Sequence, residues 1–150
     1  MGRLNHKRPL LDTNVIIERA IDDALLSKMV LSSVVLYELI ATTIDDSTLS
    51  RYNSWRIALA ATKQIVCPSP TDWFECSKVV RNLLRGQKSI TKGNVRKVTS
   101  AQQQQNDALI ARTAWTHDCF VVTNNQRDFN KFKPYMKGLE IVPADYFFDD

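Results

Sequence analysis

The 150-residue chain has two histidines, three cysteines and no long uncharged apolar run. Each shortage excludes a class of protein. Only His6 and His117 could serve as imidazole ligands, and Cys67, Cys76 and Cys119 show no C-x-x-C spacing, so a structural zinc site is not expected. An odd cysteine count behind an N-terminus without a secretory signal reads as reduced core thiols in a cytoplasmic protein. The start, MGRLNHKRP, is basic, but Asp12 interrupts the apolar run after two leucines. That pattern is neither a signal-peptide core nor a membrane span. There is no internal repeat, and the Gln102 to Gln105 run is too short to be a low-complexity tract.

A chain of 150 residues suits a single domain, residues 1–150, able to bury roughly two-thirds of its unfolded surface. Its net charge of +4 fits a polyanionic partner without requiring one. The distribution is more telling. Arg81, Arg85, Lys88, Lys92, Arg96 and Lys97 follow one another with no acid between them. The second half of this stretch, GQKSITKGNVRKVTS, lacks helical periodicity and carries two glycines, so it reads as a basic loop.

Short apolar strands alternate with helical patterns along the chain. Arg8 to Leu11, Met29 to Leu31, Cys119 to Thr123 and Leu139 to Val142 read as strands. Helices are expected over Val15 to Ala24, from Val34 behind a Ser32 or Ser33 cap, and from Asp46 to before Pro68. Others follow from a Thr71 or Asp72 cap to Leu84, over Ala101 to Thr116, and around Arg127 to Phe132. This order implies an α/β fold with a mostly parallel central sheet flanked by helices. Ligands of such sheets bind beyond the carboxyl ends of the strands.

Asp12 lies at such an end, inside LLDTNVII, where Thr13 and Asn14 can start the next helix and steady the carboxylate. Glu38 shares a helix face with Val34, Val35, Ala41 and Thr42. Asp107 shares one with Ile110, Ala111 and Ala114. A lone acid on an apolar stripe is commonly a cap or an ion-pair partner; three of them, brought to one sheet edge, would repel and drive protonation. A divalent cation removes the conflict, and oxygen-only donors favour Mg²⁺ or Mn²⁺. Thr123, Asn125 and Asp128 add a hydroxyl, an amide and a further carboxylate just beyond the CFVVT strand.

In this order, LLDTNVII, Ser32 to Glu38, DALIARTA (Asp107 to Ala114) and VVTNNQRDF together resemble the PIN-domain nucleases. Among these they look most like the VapC toxins of bacterial toxin–antitoxin pairs, and the closing GLEIVP is similar to that family's last strand. The resemblance implies a PIN-like three-layer fold and a metal-dependent endoribonuclease site binding one or two Mg²⁺ ions. By motif position, Asp12, Glu38 and Asp107 match the family's three principal acids. Asn125 stands where the family commonly has an aspartate, with Asp128 as a nearby substitute, and Asn14 and Thr123 match supporting polar positions. Either Glu38 or Asp128 would take the proton of the attacking water. Implied partners are RNA, held in part by the cations between Arg81 and Lys97, a cognate antitoxin and a second copy of the chain. Trp55, Trp73 and the Phe147-Phe148 pair are candidates for such an interface.

Two rival classes are distinguishable. A phosphatase of the haloacid dehalogenase type needs an aspartate two residues after Asp12, where this chain has Asn14. A PIN scaffold that binds RNA or protein without cleaving would tolerate the Asn125 departure. It would have no need for three acids on apolar stripes.

Overall fold

The computed structural model describes residues 6–86 and 94–149, with residues 94–100 and 103 described by their backbone alone. Strand β1 (Arg8–Leu11) pairs in parallel with β4 (Cys119–Thr123), and β4 with β5 (Ile141–Pro143). Strands β2 (Leu31–Ser32) and β3 (Ile65–Val66) form a second parallel pair. A bridge between Leu10 and Val30 joins the two, with the Val30 N–H donating to the Pro9 carbonyl at 2.8 Å. The combined order is β3-β2-β1-β4-β5. All five residues of β4 are buried, which explains why CFVV runs apolar without alternating before Thr123. The flanking helices match the expected architecture.

The first expected helix is in fact two: α1 (Thr13–Glu18) and α2 (Asp23–Lys28). Arg19 is extended, and Asp22 caps the second helix by accepting from the Leu25 N–H at 2.7 Å. Helical spacing of Ile17, Ala20, Ile21 and Ala24 therefore carries across a break that a strong local cap produces. Helix α3 (Ser33–Ala41) starts behind Ser32, whose Oγ accepts from the Val34 N–H at 3.1 Å. Helix α4 (Asp46–Ala61) is capped by Asp45. Strand β3 escapes sequence reading because two residues carry no period. Gln64 ties it in: its carbonyl accepts from the Leu31 N–H at 2.9 Å, and its side-chain amide donates to the Met29 carbonyl at 2.8 Å.

The cap of α5 (Pro70–Arg85) is Ser69, neither Thr71 nor Asp72. Asp72 instead closes a capping box, accepting from the Ser69 N–H at 2.8 Å while Ser69 Oγ accepts from the Asp72 N–H at 3.1 Å. Helix α6 (Asn94–Thr116) starts seven residues before the expected Ala101, so the NVRKVTS part of the anticipated basic loop is helical. That segment has no Pro or Gly after Gly93 and can extend a helix whose C-terminal half is anchored. Lys88 and Lys92 lie outside the described residues. Helix α7 (Gln126–Asn130) gives way to a 3₁₀ turn at Lys133–Tyr135, and an unanticipated helix α8 (Ala144–Phe148) follows β5.

The core is centred on β1, β4 and α6. Ala108, Leu109, Ile110, Ala111 and Ala114 of α6 are wholly buried, as are Leu10, Val121 and Val122. Burying a Leu or Ile side chain contributes roughly 1.5–3 kcal/mol. The intervening alanines let the α6 backbone approach β4 and β2 closely. Helix α7 packs against β5, and Phe129, Phe132 and Met136 are buried. Among the described residues no helix is long and apolar enough to cross a membrane.

Candidate active site at the β1–β4 strand ends

Strands β2 and β3 lie on one side of β1, and β4 and β5 on the other. The topology therefore switches direction between β1 and β4, where open parallel sheets form their ligand crevice. Register completes the placement. Leu11 pairs with Val122, and the Asp12 N–H donates to the Val122 carbonyl at 2.9 Å. Asp12 thus emerges beside Thr123, and the Thr123 hydroxyl donates to Asp12 Oδ2 at 2.9 Å. The other oxygen, Oδ1, accepts from the Thr13 N–H at 2.8 Å. Asp12 is buried, at 7% exposure. Burial pushes its pKa up, the Thr123 and Thr13 hydrogen bonds work against that rise, and the charge of Glu38 reinforces it.

Thr13 does more than start α1. Its hydroxyl donates to Glu38 Oε1 at 2.8 Å, so one residue touches both carboxylates. Glu38 reaches it from the second turn of α3, where the Ser32 cap sets the phase of the helix. Asn14, the expected support, is exposed and makes no side-chain hydrogen bond among the described residues. Helix N-terminal geometry turns the first residue inward and the second outward, and which does which is not legible from DTN alone.

Asp107 stands at the head of the buried face of α6. Burial raises its pKa first, then the charges of Asp12, Glu38 and Asp128, up to about 7; Lys131 opposes them. Asp107 on α6 therefore feels the charges of Asp12 at the end of β1, Glu38 on α3 and Asp128 on α7. Asp128 differs from the rest. The Asn125 side-chain amide donates to its Oδ2 at 2.5 Å, Lys131 Nζ is 3.2 Å from its Oδ1, and its pKa is held below the usual carboxylate range. Asn125 in turn donates its backbone N–H to Thr123 Oγ1 at 2.9 Å.

The donor set is all oxygen, buried in part and mutually repelling, which fits a hard divalent cation in chemistry and in charge. Among the described residues, no three His, Cys, Asp or Glu side chains converge closely enough to form a ready-made cage. Of the expected RNA-contacting cations, Arg81 and Arg85 are exposed on α5. Arg96 and Lys97 fall in the first turn of α6, about 15 Å along the helix axis from Asp107 at 1.5 Å per residue. Sequence reading missed Lys131, whose i, i+3 spacing from Asp128 was the available signal, and Arg112, which pairs with the buried Asp72 at 2.7 Å.

No protein-family model and no curated protein matches the chain. Solved structures do resemble it. A chain of the DNA-bound VapBC structure from Salmonella typhimurium aligns over 92% of this chain and 98% of its own, at 22% identity and a TM-score of 0.54. A chain of VapBC2 from Rickettsia felis, bound to a promoter DNA fragment, aligns over 90% and 97% at 21% identity and a TM-score of 0.54. A chain of FitAB bound to an IR36 DNA fragment aligns over 91% and 94% at 15% identity and a TM-score of 0.55. Over nearly its whole length, this chain has the fold of those VapBC and FitAB chains.

Proposed function

We propose that the protein is a Mg²⁺- or Mn²⁺-dependent endoribonuclease that hydrolyses RNA phosphodiester bonds, acting as the toxin of a VapBC-type toxin–antitoxin pair. The observation that carries this reading is the Asp12 carboxylate held by Thr123 and Thr13 at the topological switch point, with Thr13 also donating to Glu38. The repulsion that raises the Asp107 pKa would be relieved by a bound cation. Likeness to VapBC and FitAB chains supports the toxin reading and an antitoxin partner.

Asp12, Glu38 and Asp107 would hold the cation, with Asp128 beside them. When bound, it supplies a water of lowered pKa and offsets charge on the in-line transition state. The chain's own residues do the rest. Thr13 and Thr123 fix both oxygens of Asp12, so its carboxylate needs no reorganisation on binding. Either Glu38 or Asp128 would take the proton of the attacking water. Arg81 and Arg85 would contact phosphates and give salt-dependent, weakly specific affinity.

A second reading, a PIN scaffold that binds RNA or protein without cleaving it, is favoured by the lack of a ready-made cage among the described residues. Incubation with mixed single-stranded RNA separates the two. Cleavage that needs Mn²⁺ and falls at least about 100-fold in Asp12→Asn is the expected outcome. RNA binding that persists in EDTA and in Asp12→Asn, with no cleavage under any metal, would sink the nuclease reading. Expression alone should arrest growth, and a small protein encoded beside it should relieve the arrest and co-purify.

A further inference from the structure

We propose that the outward face of α5 is a track for single-stranded RNA, on which Phe74 and Trp73 stack bases beside phosphates held by Lys78, Arg81 and Arg85; this rests on the RNA-binding part of the reading above. Helix α5 buries Asp72, Cys76, Val79 and Val80. At about 100° per residue, Phe74, Lys78, Arg81 and Arg85 fall within about 60° of one another, on the side opposite that buried face. Such a pole ordinarily carries polar side chains alone. Here it begins with a phenylalanine that is 61% exposed, next to a tryptophan that is 48% exposed. An exposed apolar residue standing singly needs no explanation. Two adjacent rings leading into three cations match what an unpaired strand offers, since every base has a face to stack and every nucleotide a phosphate.

Lys78 Nζ lies 5.0 Å from the Phe74 ring centroid, which joins the aromatic end of the stripe to its basic end. Glu75 is the one acid of α5 besides the buried Asp72, and Lys78 pairs with it at 2.9 Å. An exposed i, i+3 pair constrains little, so a phosphate can engage Lys78. The charge favours a polyanion over a protein partner, because the centres of protein interfaces are depleted of lysine. Two contacts place the stripe relative to Asp107. Arg112 Nε donates to Asp72 Oδ1 at 2.7 Å, and Cys76 Sγ donates to the Ala108 carbonyl at 3.3 Å. Both belong to one antiparallel register of α5 on α6, which sets Asp107 level with Ser77. The stripe from Phe74 to Arg85 therefore spans the height of Asp107 along the helix pair.

The test measures anisotropy of a fluorescent single-stranded RNA of about 12 nucleotides with the full chain, in EDTA so that no cleavage intervenes. Phe74→Ala and Trp73→Ala should each weaken binding about 5- to 150-fold and leave its salt slope unchanged, because stacking releases no counterions. Lys78→Gln should instead lower the slope by about 0.7. Phe74→Trp should keep the wild-type affinity, and a base-free ribose-phosphate strand should bind wild type and Phe74→Ala alike. The substituted side chains are exposed, so melting temperatures should stay at the wild-type value, which a structural role would not allow. Wild-type RNA affinity in both alanine variants would overturn the proposal. So would a dimer that Phe74→Ala dissociates in sedimentation with RNA affinity unchanged, which would assign the face to a second copy of the chain. Metal-dependent cleavage by the wild type, with binding indifferent to Phe74 and Trp73, would remove this inference alone. Binding that follows the variants, with no cleavage under any metal, would remove the nuclease reading alone.

Discussion

Asp107 carries the electrostatic conflict of the site in a measurable form. Burial and the charges of Asp12, Glu38 and Asp128 raise its pKa to about 7, against roughly 3.9 in an unfolded chain. The folded protein therefore holds this proton more tightly than the unfolded one. The stability it contributes is fully present below about pH 4 and is lost as pH rises through about 7. Asp12 shifts in the same direction, by burial. Asp72 and Asp128 shift downward, so their contributions are lost only on acidification below the ordinary carboxylate range. They leave the neutral window to Asp107. Without divalent ions, the melting temperature should decline between about pH 5 and pH 8, and Asp107→Asn should flatten the decline and raise the melting temperature at pH 8 by a few degrees. Mg²⁺ or Mn²⁺ should stabilise the wild type more at pH 8 than at pH 5, since ionised carboxylates are the better ligands. Calorimetric scans in EDTA and in metal check both; a flat wild-type profile would contradict the coupling.

Among the elements, α6 has two tasks. Its upper turns present Asp107, and five residues on, Arg112 fastens it to α5. Arg112 Nε lies 2.7 Å from Asp72 Oδ1, with the two side chains 16% and 8% exposed. Burial works to raise the Asp72 pKa, but the Ser69 amide and the Arg112 guanidinium outweigh it and hold the carboxyl low. Arg112 also stacks over Trp115, 5.4 Å from the ring centroid. Removing the cation strands a buried carboxylate. Arg112→Ala should cost about 3–5 kcal/mol in urea unfolding, and Asp72→Asn less, because an amide keeps part of the capping box without a bare charge. The DALIARTA segment thus reads two ways: its aspartate belongs to the site and its arginine to the scaffold.

For the whole molecule, the cations and the acids lie on different elements. Arg81 and Arg85 are exposed on α5, while the acids gather where β1 and β4 end. The proposed RNA substrate would engage both. Removing one cation that neutralises a phosphate of a single strand should lower the salt slope of binding by about 0.7, so Arg81→Gln/Arg85→Gln should reduce it by up to about 1.4. Anisotropy titrations on a fluorescent RNA at several salt concentrations measure this; an unchanged slope would remove both arginines from the RNA path. The apolar surface is distributed differently from the sequence expectation. Trp55 packs on Tyr52 with centroids 5.4 Å apart, and Phe147 packs between Phe120 and Phe148 at 5.9 and 5.1 Å. Trp73 and its neighbour Phe74 remain exposed.

Local pattern alone determined the order of strands and long helices, the position of Asp12 at a strand end, and the anomaly of Glu38 and Asp107 on apolar faces. These features are legible because hydrophobic period and capping act over a few residues. Where two-residue strands carry no period, as in β3, or where a cap splits a continuing period, as at Asp22, the pattern fell silent or misled. Tertiary structure alone decided that Leu11 pairs with Val122, which sets Asp12 against Thr123 across 111 positions of sequence. It also decided that Thr13 rather than Asn14 turns toward Glu38, and that Asn125 directs its amide to Asp128. Each depends on strand register or on the phase of a helix start, and a one-residue shift in either points the side chain elsewhere.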